Sequence, residues 1–476
     1  TPNGEEALVE GELGPRLAPE VELLARPGGR VGREAQQAQT PGEGRLRGGR
    51  GRNGAGRVGG ALGRHGAATL PSRPRRRARR LPARPFPRPA PSATTARVAM
   101  TVTVREHRPG GNLRPFLQAS AAVFEGDPAH VEPLHLELRD RLNPKKNPFF
   151  QRAEVVLFTA QRGDRVVGRC SATIDREHLR VWNDDTGFFG FFDTVDDVEV
   201  ARALIDAAAG WLQARGMRRM LGPFSLYANE EVGLLVEGFE HPPALMMAHS
   251  RAYQGALAEA CGLVKEKDLL AWKWENEPFP PRVLKAWEGI KAMPEVRLRS
   301  VDTSRMEEEL RTIMDIYNDA WSGKWCFVPA LPEEVKKVAQ DMKLLIDPDM
   351  AFIAEVHGKP VGMCIMLPNL NECIADMNGR LLPFHWAKLV YRLKVKRPRS
   401  ARLMMLGIRG ELRRHRQYGG LSAAMYVEVA KRGRAKGCEW GELSWTREDD
   451  APINLGIRSM GAKVYKRYRV YQKPLP

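Results

Sequence analysis

Two stretches of this chain repeat one plan, and the repeat limits the folds open to it more than any other feature. AEVVLFTAQRGDRVVGRCSATID (153–175) predicts strand, Gly-Asp turn, strand, because β-branched residues flank a turn dipeptide. MAFIAEVHGKPVGMCIMLPN (350–369) predicts the same, with its turn at Gly358-Lys359. Both returning strands carry Val-Gly-x-Cys: Val167-Gly168-Arg169-Cys170 and Val361-Gly362-Met363-Cys364. Further along, CGLVKEKDLLAWKW (261–274) and MGAKVYKRYRVYQK (460–473) both place Gly second, then a charged turn, then an aromatic-bearing strand. The repeat predicts two units of about 175 residues each, at 100–275 and 296–476. Between them, 276–295 reads as a linker, because the prolines of NEPFPPRV (276–283) break regular structure.

Residues 1–99 stand apart. They hold 19 Arg, 17 Gly, 12 Pro and no Lys, and all eight acidic residues fall in the first 43 positions. Such a stretch has too little patterned apolar surface to offset its ordering entropy, so it is expected to be disordered. Two origins fit: a start assigned ahead of Met100, or a basic disordered arm. Without these residues the chain has 56 Lys and Arg against 49 Asp and Glu, so its basic balance gives little reason to expect nucleic acid. RPRRRARR (73–80) could meet phosphates but has no interleaved aromatics to stack on bases.

The six cysteines form no CxxC pair and mostly sit in apolar runs, as buried small hydrophobes do in a reducing compartment. No run of eighteen apolar residues predicts a membrane span, and the expected location is cytoplasmic. The ten histidines look scattered, without HExxH or a close His/Cys pair, so no metal site is expected.

In the second unit, strand LMMLGI (403–408) leads through GELRRHRQYGG to helix LSAAMYVEVAKRGRAKG (421–437), then strand EWGELSW (439–445) and a last strand at 465–472. Alternating strands and helices predict an α/β (α+β) class with a mixed, mostly antiparallel sheet flanked by helices. A glycine turn at a helix start offers unpaired amides and partial positive charge, which favour a phosphate-bearing ligand. Arg413, Arg414, His415 and Arg416 add a basic rim.

The string Gln417-Tyr418-Gly419-Gly420-Leu421-Ser422 resembles the Q/R-x-x-G-x-G/A element of the GCN5-related N-acetyltransferase (GNAT) superfamily, with Ser422 in the last small position. Together with the order hairpin, strand, glycine turn, helix, strand, the resemblance implies an acyl-CoA N-acyltransferase-like fold in each unit, of a tandem bacterial kind. It implies acetyl-CoA, or another acyl-CoA, held in the second unit by Ile408, Arg416, Gln417, Tyr418, Gly419, Gly420, Leu421, Ser422 and Asn454. In the first unit, strand TGFFGFF (186–192) runs into Asp193, Asp196, Asp197 and Glu199. Those acids suit a helix start but repel phosphate, so the first unit is expected to be degenerate, and to serve as a scaffold or help wall the substrate cleft.

The family's usual tyrosine and asparagine positions hold Ile457 and Asp450 here. As catalytic candidates there remain Glu442 and Glu411 as general bases and Tyr465 as acid, with alternation placing Tyr465 and Tyr471 on one face and Tyr468 on the other. YNDAWSGKWCFVP (317–329) and Tyr227, Asn229 and Glu230 are candidates for shaping the acceptor site. The amphipathic LLPFHWAKLVYRLKVKRPRS (381–400) is expected to bury its apolar side against its own unit rather than a membrane. The reading is an N-acetyltransferase acting on a small-molecule or peptide amine. An inactive acyl-CoA- or metabolite-binding protein, or an aminoacyl or fatty-acyl transferase of the tandem kind, stands beside it.

Overall fold

The structure, a computed structural model, describes residues 101–476 other than 343 and 414. The expected leader at 1–99 and Arg414 of the basic rim lie outside the described residues. The first half supplies β1 (Val102–His107), β2 (Ala153–Arg162), β3 (Arg165–Asp175), β4 (Thr186–Thr194), β5 (Arg219–Gly222), β6 (Leu234–Glu237) and β7 (Val264–Glu275). The second supplies β8 (Val296–Ser300), β9 (Ala351–Val356), β10 (Lys359–Pro368), β11 (Ser400–Ile408), β12 (Trp440–Arg447) and β13 (Lys463–Pro474). All thirteen join one mixed sheet flanked by helices.

Both hairpins arise, the first with its turn where expected and the second with its turn one residue earlier than the expected Gly358-Lys359, since Lys359 already belongs to β10. The β2–β3 loop is Gly163-Asp164, with Gly163 at φ +58°; the β9–β10 loop is His357-Gly358, both at positive φ, as a two-residue hairpin turn demands. The shared Val-Gly-x-Cys element also has a physical cause. A Cβ on Gly168 would lie 2.9 Å from Leu204 of the helix Val198–Gln213, and one on Gly362 would lie 3.2 Å from Met425 of the helix Leu421–Ala435. Each glycine lets a helix settle close on the sheet, and Cys170 and Cys364 are wholly buried beside it.

The order across the sheet is β1-β2-β3-β4-β5-β13-β7-β12-β11-β10-β9-β8, with β6 added on β13. Inward from either edge it reads alike: three antiparallel pairings, one parallel pairing (β4 with β5, β11 with β12), then a strand of the other half. The last strands are exchanged. β13 closes the first half by pairing with β5, β7 closes the second by pairing with β12, and the two pair with each other at the centre.

Two sequence expectations change here. Residues 276–295 are not an irregular linker, because Pro281 opens the helix Pro281–Lys291, where its missing N–H costs nothing. That helix packs on the helix Leu421–Ala435 through Ala286 and Ile290 against Gly420. The stretch 381–400 is only half buried: Leu389 and Leu393 face the core, but Phe384, Trp386 and Tyr391 are exposed. Among the described residues no helix is long and apolar enough to cross a membrane.

Candidate active site

A cavity of about 500 Å³ lies where the end of β4 (Phe191, Phe192, Asp193) and the chain after β5 (Pro223, Ser225, Tyr227) face residues of the second half, including Leu345, Ile374 and Leu381. Its apolar wall includes Leu134, Leu245 and Met246. Seven carboxylates line it against only three Lys and Arg: Glu137, Asp140, Asp193, Glu230, Glu231, Glu334 and Asp341, with Arg141, Arg169 and Lys337. A cavity of this balance suits a cationic head on an apolar body.

Two histidines in this wall are backed by carboxylates. His249 donates through Nε2 to Asp127 Oδ2 at 3.1 Å, and its side chain is only 4% exposed. His130 donates through Nε2 to Glu132 Oε2 at 3.0 Å. A neutral imidazole that donates from Nε2 keeps its lone pair at Nδ1. Both Nδ1 atoms are buried without a hydrogen-bond partner among the described residues. The rings lie 6.1 Å apart, and Phe124 stacks on His130 at 4.1 Å between centroids.

Local structure fixes this pair. Asp127 sits in a turn in which its Oδ1 accepts from Ala129 N–H at 3.0 Å and its carbonyl accepts from His130 N–H. His249 lies next to Ser250, whose Oγ accepts from Leu235 N–H of β6 at 3.1 Å. Glu132 accepts from Ser120 and His135 as well as His130. Burial opposes its charge, but the His130 hydrogen bond and the Arg169 charge outweigh that and take its carboxyl down to about 2. Burial lowers the His249 imidazole below its ordinary value, against the pull of Asp127. Burial also pushes Glu230 up to about 7, although Arg141 donates to it at 3.2 Å. An imidazole held below its ordinary value beside a carboxylate, as His249 is beside Asp127, suits proton removal near neutral pH.

The residues expected from the sequence fall in several separate places. Glu442 and Tyr465 meet: Glu442 is 1% exposed and accepts from the Tyr465 hydroxyl and from Ser444, with Arg402 at 3.9 Å. Glu442 lines no part of the cavity, although Arg402 donates to the carbonyl of the cavity residue Leu245. Glu411 is exposed on the short helix Gly410–Arg413. Asn454 is buried and holds the helix Ala451–Ser459 to β12 through Thr446 and the carbonyl of Arg447.

The glycine turn is another. Gly419 and Ser422 are exposed, Tyr418 and Leu421 are buried, and Ile408 ends β11 with its carbonyl accepting from Arg413. Arg416 is exposed, and Gln417 donates to Glu295 at 3.0 Å. The amides of Tyr418, Gly419 and Leu421 donate to carbonyls three residues back, so they form a closed turn. The helix itself begins at Gly420 with no side chain capping it. Its counterpart in the first half is capped by Asp197, which accepts from Glu199 N–H and Val200 N–H.

Tyr227 and Glu230 line the cavity, and Asn229 accepts from Tyr317 at 2.8 Å. The histidine pair was missed: the histidines are not all scattered. DPAHVEPLH (127–135) gathers Asp127, His130, Glu132 and His135 within nine residues, a density that could have marked the site.

No family model matches the chain. A protein of Caulobacter vibrioides called bacterial ceramide synthase is 39% identical over 368 residues, covering 76% of this chain and 95% of that protein. The protein YghO of Escherichia coli is 36% identical over 367 residues, covering 76% of this chain and 93% of its own length. Among solved structures, a tandem GNAT protein from the clavulanic acid biosynthesis pathway superposes with a TM-score of 0.47 at 12% identity, over 79% of this chain and 99% of that one. A GCN5-related N-acetyltransferase from Sphaerobacter thermophilus gives 0.45 at 14% identity, over 79% and 96%.

Proposed function

Because the chain belongs to the family of the Caulobacter bacterial ceramide synthase and YghO, we propose that it is an N-acyltransferase joining a fatty acyl group, carried as a coenzyme A thioester, to the amine of a long-chain amino alcohol. A ceramide is such an amide, which motivates the substrate class. The observation that carries the reading is the pair of carboxylate-backed imidazoles, each with a buried and unpartnered Nδ1, in the wall of an acidic cavity with an apolar body.

The acidic lining draws in the ammonium form of the amine and orients it. His249 takes a proton at Nδ1, Asp127 stabilises the imidazolium through Nε2–H, and the freed amine attacks the thioester carbonyl. The C–N bond forms, the C–S bond breaks, and the thiolate leaves to be protonated. His130, backed by Glu132, is placed to relay the second proton. The apolar wall favours a longer chain than the acetyl group first expected.

For the donor, the uncapped helix start at Ser422 and the exposed Arg416 offer an amide and positive charge to phosphates. Asp197 fills the matching position in the first half. The reading is thus divided between halves, donor phosphates on the second and acceptor amine on the first. The strand order, alike from both edges, supports two copies of one acyltransferase-like unit.

The test is direct. The purified chain, given palmitoyl-CoA and sphinganine, is expected to yield the amide by mass spectrometry with stoichiometric thiol release. His249→Ala is expected to retain under about 1% of that rate. An undiminished rate in a His130→Ala/His249→Ala double variant, or transfer of acetyl alone, refutes the assignment.

A further inference from the structure

Fourteen large hydrophobic side chains are exposed among the described residues, and six of them fall in one short stretch: Leu382, Phe384, Trp386, Val390, Tyr391 and Val395. Phe384 is 80% exposed and Leu382 69%. Contiguous exposed apolar surface of this kind marks a docking site rather than chance scatter.

The stretch is a single layer between solvent and the cavity. Its inward residues Leu389 and Leu393 share a core with Leu345, Ile374 and Leu381, and those three line the cavity. The cavity rim extends the same surface, because Leu136 and Val338 line it and are exposed. The helix bearing Leu136 abuts the start of the stretch, with His135 N–H donating to Gly379 O at 2.9 Å.

Charge narrows the partner. Residues 376–399 hold seven Lys and Arg against one acid, Asp376. Asp376 pairs with Lys388 and Arg392, and Arg399 pairs with Glu439. Lys394, Lys396 and Arg397 make no ion pair with the described residues, and all three are exposed around Val395. Aromatic rings edged by free cations match the headgroup zone of an anionic bilayer, where rings sit at the interface and cations meet lipid phosphates.

We propose that residues 382–397 dock the protein on an anionic phospholipid membrane and set the cavity mouth against it, so that long-chain substrates pass between bilayer and cavity without crossing water. The docking stands on the patch itself; the delivery role rests on the fatty-acyl reading above.

The experiment is flotation of the full chain with vesicles of phosphatidylglycerol and phosphatidylethanolamine, compared with phosphatidylcholine alone, at about 0.15 M salt. The chain is expected to float with the anionic vesicles only. Phe384→Ala/Trp386→Ala/Tyr391→Ala and Lys394→Glu/Lys396→Glu/Arg397→Glu are each expected to weaken that binding at least tenfold. Both variants are expected to acylate detergent-dispersed substrate within twofold of the parent rate. A parent chain that stays with the unbound fraction overturns the proposal, as do variants that float equally well. It is also overturned if sedimentation velocity shows the aromatic variant splitting a dimer that has no affinity for vesicles, which makes the patch a contact between copies. Intact flotation with no acylation of dispersed substrate retains the docking and removes the reaction.

Discussion

The helix that follows the fourth strand of each half begins in two different ways. In the first half Asp197 folds its carboxylate back onto the amides of Glu199 and Val200 and takes up the place an anion would use. In the second, Gly420 has no side chain to offer, and the start lies beside exposed Arg416 and Ser422. On the reading proposed above, one plan is closed to phosphate on one side and left open on the other. The first half instead carries the two imidazoles, in the wall of a cavity that both halves line. A duplicated unit can divide a two-substrate reaction in this way, because a site that gives up one ligand is free to be reshaped for the other.

The largest expected effect lies at the histidines. His249→Ala is expected to lower kcat by a factor of about 10² to 10⁴, as loss of a general base does, measured by thiol release; Asp127→Asn should follow it, because the ring loses its fixed tautomer. The pH profile sharpens this point. Burial lowers the His249 value, so the base stays neutral as pH falls, and the acid limb of kcat/KM is expected below the ordinary imidazole value of about 6.5. A limb well above that value would remove His249 as the base.

Glu132 tests whether the same side is also built for stability. Its folded value of about 2 lies below the unfolded one. The carboxylate therefore contributes stability that is fully present above the unfolded value and is lost as pH falls towards about 2. Glu132→Gln is expected to cost on the order of 3 kcal/mol at neutral pH, read by urea unfolding, and the deficit should shrink in acid.

Packing distinguishes the halves less sharply. Gly168→Ala must displace Leu204 and the Asp193 carbonyl, both 2.9 Å from the new Cβ, whereas Gly362→Ala meets its neighbours at 3.2–3.3 Å. The expected losses are about 2 and about 1 kcal/mol by thermal unfolding. The smallest effect is at the open helix start. Ser422→Glu places an anion in the first turn, where it suits the helix dipole but repels phosphate, so stability should hold while the KM for acyl-CoA rises about tenfold. An unchanged KM would place the donor phosphates elsewhere.

Much of the architecture was legible because its causes are local. Gly163-Asp164 is a turn dipeptide, Gly358 marks the second turn to within one residue, and the Val-Gly-x-Cys repeat records a close helix on each sheet face. The exchange of β7 and β13 was not legible, since either strand pairs equally well by pattern and only the partner's position decides. Nor were the bulges. Register shifts at Val464/Lys466 and Val470/Tyr471 put Tyr465 in the core with Tyr468 and send Tyr471 to another, the reverse of simple alternation. The site was hidden by distance along the chain: His130 and His249 meet through a turn and a loop that follow no common period. Tyr227 and Glu230 stood out in the sequence, and they line the cavity.

The exchanged strands also set a schedule for making the molecule. As the chain emerges during synthesis, β5 and β7 wait with open edges until residues 440–474 arrive to cover them. Contacts spanning some two hundred residues form slowly and expose unpaired edges meanwhile. Neither half can be finished first, so a chain stopped short of β13 leaves both with raw edges and a strong tendency to aggregate.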